Sequence, residues 1–177
     1  MSSVSEHITT YAHVRRLSPQ TLARWQAWSE EEQTALLAVA QELQLGENHL
    51  RDFLDWLEEI RARDGGTVQE ILSRGEISQS LQTKLPRNDK LKAVKEALRR
   101  IRYPRLSRLE EELRSAVKAL DLGNRIQVSF SPSYENEEIT VELKARNLKE
   151  LTDNLHRLQQ RVEDGSLQRL FEIFDEV

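Results

Sequence analysis

Apolar positions recur at three- and four-residue spacings along most of this chain and switch to a two-residue spacing in one region only. Ser18-Pro19 reads as an N-cap followed by proline at the first helical position, opening a short helix to about Trp28. Ser29 with Glu32 forms a capping box for a second helix, with Leu36, Leu37, Ala40 and Leu43 on one face and Gly46 as its stop. Asn48 is expected to cap a third, carrying Leu50, Phe53, Leu54, Leu57 and Ile60 and ending at Gly65-Gly66. Thr67, boxed with Glu70, starts a short helix expected to end at Gly75, and another runs from about Ser78 to before Pro86. Asn88 is expected to cap a helix to about Tyr103, with Leu91, Val94, Leu98 and Ile101 as its stripe; Pro104 interrupts it. Ser107, boxed with Glu110, opens the next, with Leu109, Leu113, Ala116, Val117 and Leu120 on one side and Gly123 as its stop.

Here the period changes. Ile126, Val128 and Phe130 alternate with polar residues, as do Ile139, Val141 and Leu143, and the polar link 131–138 makes a hairpin the natural reading. Leu148, Leu151, Leu155, Leu158 and Val162 return to helical register after Asn147, and Gly165-Ser166 breaks that helix before a short apolar end. The expected architecture is mostly α with a small α+β part. A helical unit (1–86) is joined by a basic connecting helix (87–104) to a helix–hairpin–helix unit (105–177).

A lone hairpin is marginally stable, and its two edges invite pairing. A homodimer formed around the hairpin is therefore favoured over a monomer, with Phe171, Ile173 and Phe174 expected to cover the joint. The successions Leu109-Glu-Glu-Glu-Leu-Arg, Arg125-Ile-Gln-Val, Glu138-Ile-Thr-Val-Glu-Leu and Asn147-Leu-Lys-Glu-Leu resemble the C-terminal dimerisation domain of ParB-type partition proteins. The stretch Gly46 to Ser78, ending Ile71-Leu-Ser-Arg-Gly-Glu-Ile-Ser, resembles the helical DNA-binding domain of that family. The resemblance implies a DNA-binding dimer whose hairpins pair into a four-stranded sheet. The family's N-terminal nucleotide-binding domain, with its Arg-rich and Gly-containing motif, has no counterpart here, so CTP binding is not implied.

Net charge is −4, unevenly spread. Residues 1–83 hold 7 Lys/Arg against 13 Asp/Glu, residues 84–108 hold 10 against 2, and residues 109–177 hold 9 against 15. The basic segment, Lys84, Arg87, Lys90, Lys92, Lys95, Arg99, Arg100, Arg102, Arg105 and Arg108, is the strongest functional signal. Such a strip can follow phosphates, and it is expected to be neutralised from outside rather than by the chain's own acids. Arg99, Arg100 and Arg102 with Tyr103 can also hold a base or backbone closely. The alternatives are an acidic protein partner, or a solvated face pairing with acid-rich helices such as that of Glu110, Glu111 and Glu112.

The remaining chemistry is sparse. With no cysteine, disulfides and thiol nucleophiles are excluded. His7, His13, His49 and His156 include no helical metal-binding pair, and no Gly-rich phosphate loop or nucleophile elbow is present. The expectation is thus no enzyme, no cofactor and no metal. The carboxylate pairs Asp52/Asp55, Glu58/Glu59 and Glu137/Glu138 fall at surface phases and read as solvated charge. Asp52, Asp55, Glu58 and Glu59 also argue against the third helix as a reader of bases, because they repel phosphate. Trp25, Trp28 and Trp56 read as core anchors, whereas Tyr11, Val14 and Leu17, interleaved with Arg15 and Arg16, are read as an arm ordered by a partner. The longest apolar run, Ala35 to Ala40, is far short of a membrane span, and Met1-Ser-Ser-Val-Ser-Glu has no signal-peptide pattern, so a cytoplasmic location is expected.

Overall fold

The computed structural model describes residues 3–131, 134 and 138–176. The protein is mostly helical with one small hairpin. Its elements are α1 (Val4–Arg15), α2 (Pro19–Gln26), α3 (Glu30–Leu43), α4 (Glu47–Asp64), α5 (Val68–Leu72), α6 (Gly75–Gln82), α7 (Arg87–Arg102), α8 (Pro104–Ala119), β1 (Ile126–Phe130), β2 (Ile139–Leu143), α9 (Leu148–Glu163) and α10 (Gln168–Glu176). They divide into two units, Met1–Tyr103 and Pro104–Val177.

The first unit is a helical body around one apolar core. Trp25, Leu36, Phe53, Leu54, Leu57 and Ile60 are fully buried, each stabilising by roughly 1.5–3 kcal/mol relative to exposure. The expected capping boxes of α3 and α5 are present, and Ser18 caps α2 with Pro19 at the first helical position. Glu32 does more than cap. Its carboxylate also accepts from Arg61 Nη1 at 3.1 Å and from the Val68 N–H at 3.2 Å, linking α3, α4 and the start of α5.

Several sequence expectations differ from the structure. The stretch around Tyr11 is not an arm: it is α1, with Ile8 and Tyr11 buried and Leu17 packed against the same core. The Tyr11 hydroxyl reaches two backbone carbonyls, Ala40 and Leu45, each at 2.8 Å. α4 and α7 start two residues earlier than expected, after Gly46 and Pro86, without side-chain caps from Asn48 or Asn88. Pro104, not Ser107, opens α8, since proline's fixed φ suits a first turn. Gly75 opens α6 instead of ending α5.

The helix expected to connect two units belongs to the first. Leu91, Val94, Ala97 and Leu98 of α7 are buried in its core, so the division falls at Tyr103–Pro104. A stripe that apolar is held by burial and does not serve as a free-standing link.

In the second unit β1 and β2 pair antiparallel, with Ile126 opposite Leu143, Val128 opposite Val141 and Phe130 opposite Ile139. That apolar face packs with Leu109, Leu113, Leu120, Leu122, Leu170 and Ile173. The C-terminal apolar residues Phe171, Ile173 and Phe174, expected to cover a dimer joint, are partly used within this unit. Ile173 is buried, and the Phe174 ring meets Phe130 edge-on at 6.0 Å. Phe171 remains exposed. On α9, Leu148, Leu155 and Val162 are 77%, 48% and 59% exposed, an unpartnered seam at seven-residue spacing.

Candidate nucleic-acid interface

The basic segment is divided by its packing. α7 lies against α3 and α4, and the cations on its inward flank reach groups on those helices. Arg87 Nε donates to the Leu43 carbonyl at 2.8 Å and its Nη2 to Gln44, capping the end of α3. Lys90 pairs with Glu42. Lys95 Nζ donates to Asp52 at 2.7 Å, and Arg102 forms a two-pronged pair with Glu59, one prong at 2.7 Å. The expectation that all ten cations await an external anion is therefore corrected for these four. The acids that hold Lys90, Lys95 and Arg102 come from α3 and α4, because those are the helices against which α7 buries its apolar stripe.

Outward-facing positions differ. Lys84 and Lys92 are exposed and have no ion-pair partner among the described residues. Arg99 and Arg100 approach the same Glu96 carboxylate at 3.7 and 3.6 Å. Arg105 and Arg108 lie on α8, in the second unit, and are exposed.

The carboxylates read as solvated on α4 are structural partners. Besides Asp52 and Glu59, Asp55 and Glu58 both hold Arg24, and Glu58 also accepts from Trp28 Nε1 at 3.0 Å. Burial pushes the Glu58 carboxyl up, but hydrogen bonds from Arg24 and Trp28 outweigh it and hold the group below its ordinary value. Glu137 lies outside the described residues.

Between α4 and α7 runs a groove of about 390 Å³. Trp56 and Leu91 form apolar parts of its lining, with Lys92, Lys95, Arg99 and Arg102 contributing charge and Tyr103 standing at the end of α7. Trp56 is half-buried. Its ring stacks on Phe53 at 6.4 Å and 21°, and Lys95 Nζ lies 5.0 Å from its centre. The Arg102 guanidinium sits 4.7 Å from the Tyr103 ring centre and 5.9 Å from that of Trp56. His49, Asn88 and Glu96 complete the polar lining, and His49 Nδ1 is buried without a partner.

Sequence reasoning missed Trp56 and His49 as site residues. A signal existed: Asp52, Trp56 and Glu59 share one helical stripe, and Lys95, Arg99 and Arg102 repeat the same four- and three-residue steps with opposite charge.

Among the described residues no group of three or more metal-ligating side chains converges, and no helix is long and apolar enough to cross a membrane. No protein-family model, curated protein or solved structure matches the chain.

Proposed function

We propose that this is a non-enzymatic DNA-binding protein, ParB-like in its helical and C-terminal regions, that holds the phosphate backbone with the outward face of α7. The observation that carries this reading is the division of the basic segment. Arg87, Lys90, Lys95 and Arg102 are committed inward, the last three neutralising acids of α3 and α4 that would otherwise repel phosphate. Lys84, Lys92 and Arg100 then remain exposed, with Glu96 and Asp89 as the acids of α7. Arg105 and Arg108 add exposed cations on the second unit.

The same reading makes the protein a homodimer through its second unit, supported by the exposed Leu148, Leu155 and Val162 and by a sheet of only two strands among the described residues. A cysteine-free chain also suits a cytoplasmic, reducing setting.

The test is binding of the full chain to a short duplex at two salt concentrations. Three outward cations per chain predict a log–log salt slope of roughly −3 per chain, since each phosphate contact contributes about −0.9. Absence of binding at low salt would reject the reading. A protein–protein adaptor is the second reading, favoured by the apolar seam of α9. Partners that survive nuclease treatment, in the absence of any DNA binding, would select it.

A further inference from the structure

We propose that the α4–α7 groove is a seat for one unpaired nucleotide, its base on Tyr103 beside Trp56 and its phosphate on Lys92. This rests on the reading of α7 as a nucleic-acid surface, and it names the form of nucleic acid that the groove takes.

A volume of about 390 Å³ lies at the lower end of small-ligand sites, which run from roughly 300 to 1,000 Å³. It suits a single planar ring with its sugar, not a duplex, whose bases are stacked inward and reach such a slot only when extruded. The aromatic lining is set in advance. Trp56 is fixed between Phe53 on the core side and the Lys95 ammonium, so little side-chain freedom remains to be lost on binding. Tyr103 is 41% exposed and offers ring surface at the groove's end. Trp56, covered by Phe53, Lys95 and Arg102, forms a fixed wall of the groove, and Tyr103, with Arg102 over its ring, is the aromatic that takes a base while cations follow the backbone.

Charge then separates a nucleotide from an acidic peptide, the other ligand that cations and aromatics suggest. Glu96 lies in the same lining, and its contacts with Arg99 and Arg100, at 3.7 and 3.6 Å, are long ones. Glu96 repels a peptide carboxylate and a phosphate alike, so the part of the ligand beside it is uncharged. A base offers amino and imino N–H groups that a carboxylate accepts. Asn88 provides a donor and an acceptor in the same lining, and the Lys92 ammonium, with no ion pair among the described residues, is available to a phosphate.

The chemistry is shared by a free mononucleotide and by an unpaired position within a strand, and the experiment separates them. The full chain is titrated, by tryptophan fluorescence and by anisotropy, with a single-stranded deoxythymidine oligomer, with AMP, with a duplex and with a Glu-Tyr-Glu peptide. Binding of the single strand with quenching is expected. Tyr103→Ala should weaken it about tenfold, and by more than it weakens the duplex, while Tyr103→Phe retains it. AMP binding with the same Tyr103 dependence also supports the seat and assigns its source to free nucleotides. Failure of both single strand and AMP overturns the proposal; if the duplex still binds, the DNA-backbone reading stands without it. Single-strand binding indifferent to Tyr103→Ala, or quenching by the peptide alone, overturns it equally.

Discussion

Lys95 on α7 donates to Asp52 on α4 at 2.7 Å, with its ammonium 5.0 Å from the centre of the Trp56 ring. That relationship turns a residue of the basic strip into part of the packing between two helices. It also places the nearest acid and the nearest aromatic where a ligand in the groove would meet a fixed, already neutralised wall. Cations of one segment thus divide into those that hold the unit together and those that stay exposed, and the two sets should respond differently to substitution.

Lys95→Ala and Arg102→Ala are expected to lower stability by roughly 0.5–1.5 kcal/mol each. Each loses a partly exposed ion pair worth little by itself, together with a cation–ring contact of similar size. Lys92→Ala and Arg100→Ala should leave stability within about 0.5 kcal/mol and weaken duplex binding instead. Thermal melts beside salt-resolved binding curves would separate the sets; equal loss of stability in all four variants would contradict the division.

Tyr11→Phe removes a buried hydroxyl that satisfies the carbonyls of Ala40 and Leu45 at the end of α3. The Ala40 carbonyl keeps its bonds from backbone amides, but leaving the Leu45 carbonyl short of a donor costs about 1–3 kcal/mol, more than the loss of one ordinary hydrogen bond. Chemical denaturation should show the midpoint falling with an unchanged slope.

Acid should weaken the first unit through Glu58 and Glu32. For Glu32, burial pushes the carboxyl up, but hydrogen bonds from the Val68 amide and Arg61 win and hold it below the ordinary value of 4.5. Glu58 is lowered from the same value. With folded values below the unfolded one, the unfolded chain binds more protons as pH falls. The contribution is complete above about pH 4.5 and is lost as pH drops through the folded values. Unfolding free energy measured between about pH 7 and pH 3 should decline, and Glu58→Gln should flatten part of that decline.

The exposed seam on α9 bears on assembly. Light scattering is expected to give twice the chain mass of 20.6 kDa. Replacing Leu155 and Val162 together by glutamate should return the monomer, because it places like charges across a two-fold seam, while far-ultraviolet circular dichroism stays unchanged. Retention of the dimer in that variant would remove α9 from the interface.

Much of the architecture was legible in local chemistry. Ser18-Pro19, Ser29 with Glu32, Thr67 with Glu70 and the alternation in Ile126–Phe130 and Ile139–Leu143 mark their elements because caps and periods involve residues a few positions apart. Asn48, Asn88 and Ser107 misled by the same logic. A good capping residue does not cap when the preceding glycine or proline already sets the turn into the helix.

The sequence by itself determined that the chain is helical with one hairpin, that it carries no thiol chemistry, and that its positive charge is gathered in residues 84–108. Tertiary structure alone decided which of those charges are available. Lys95 and Asp52 are 43 positions apart, as are Arg102 and Glu59, and their pairing follows from α7 burying Leu91, Val94 and Leu98 against the same body as α4. Hydrophobic packing chooses the neighbouring helix, and the ion pairs and the groove beside Trp56 form where that choice leaves opposite charges at matching helical spacings.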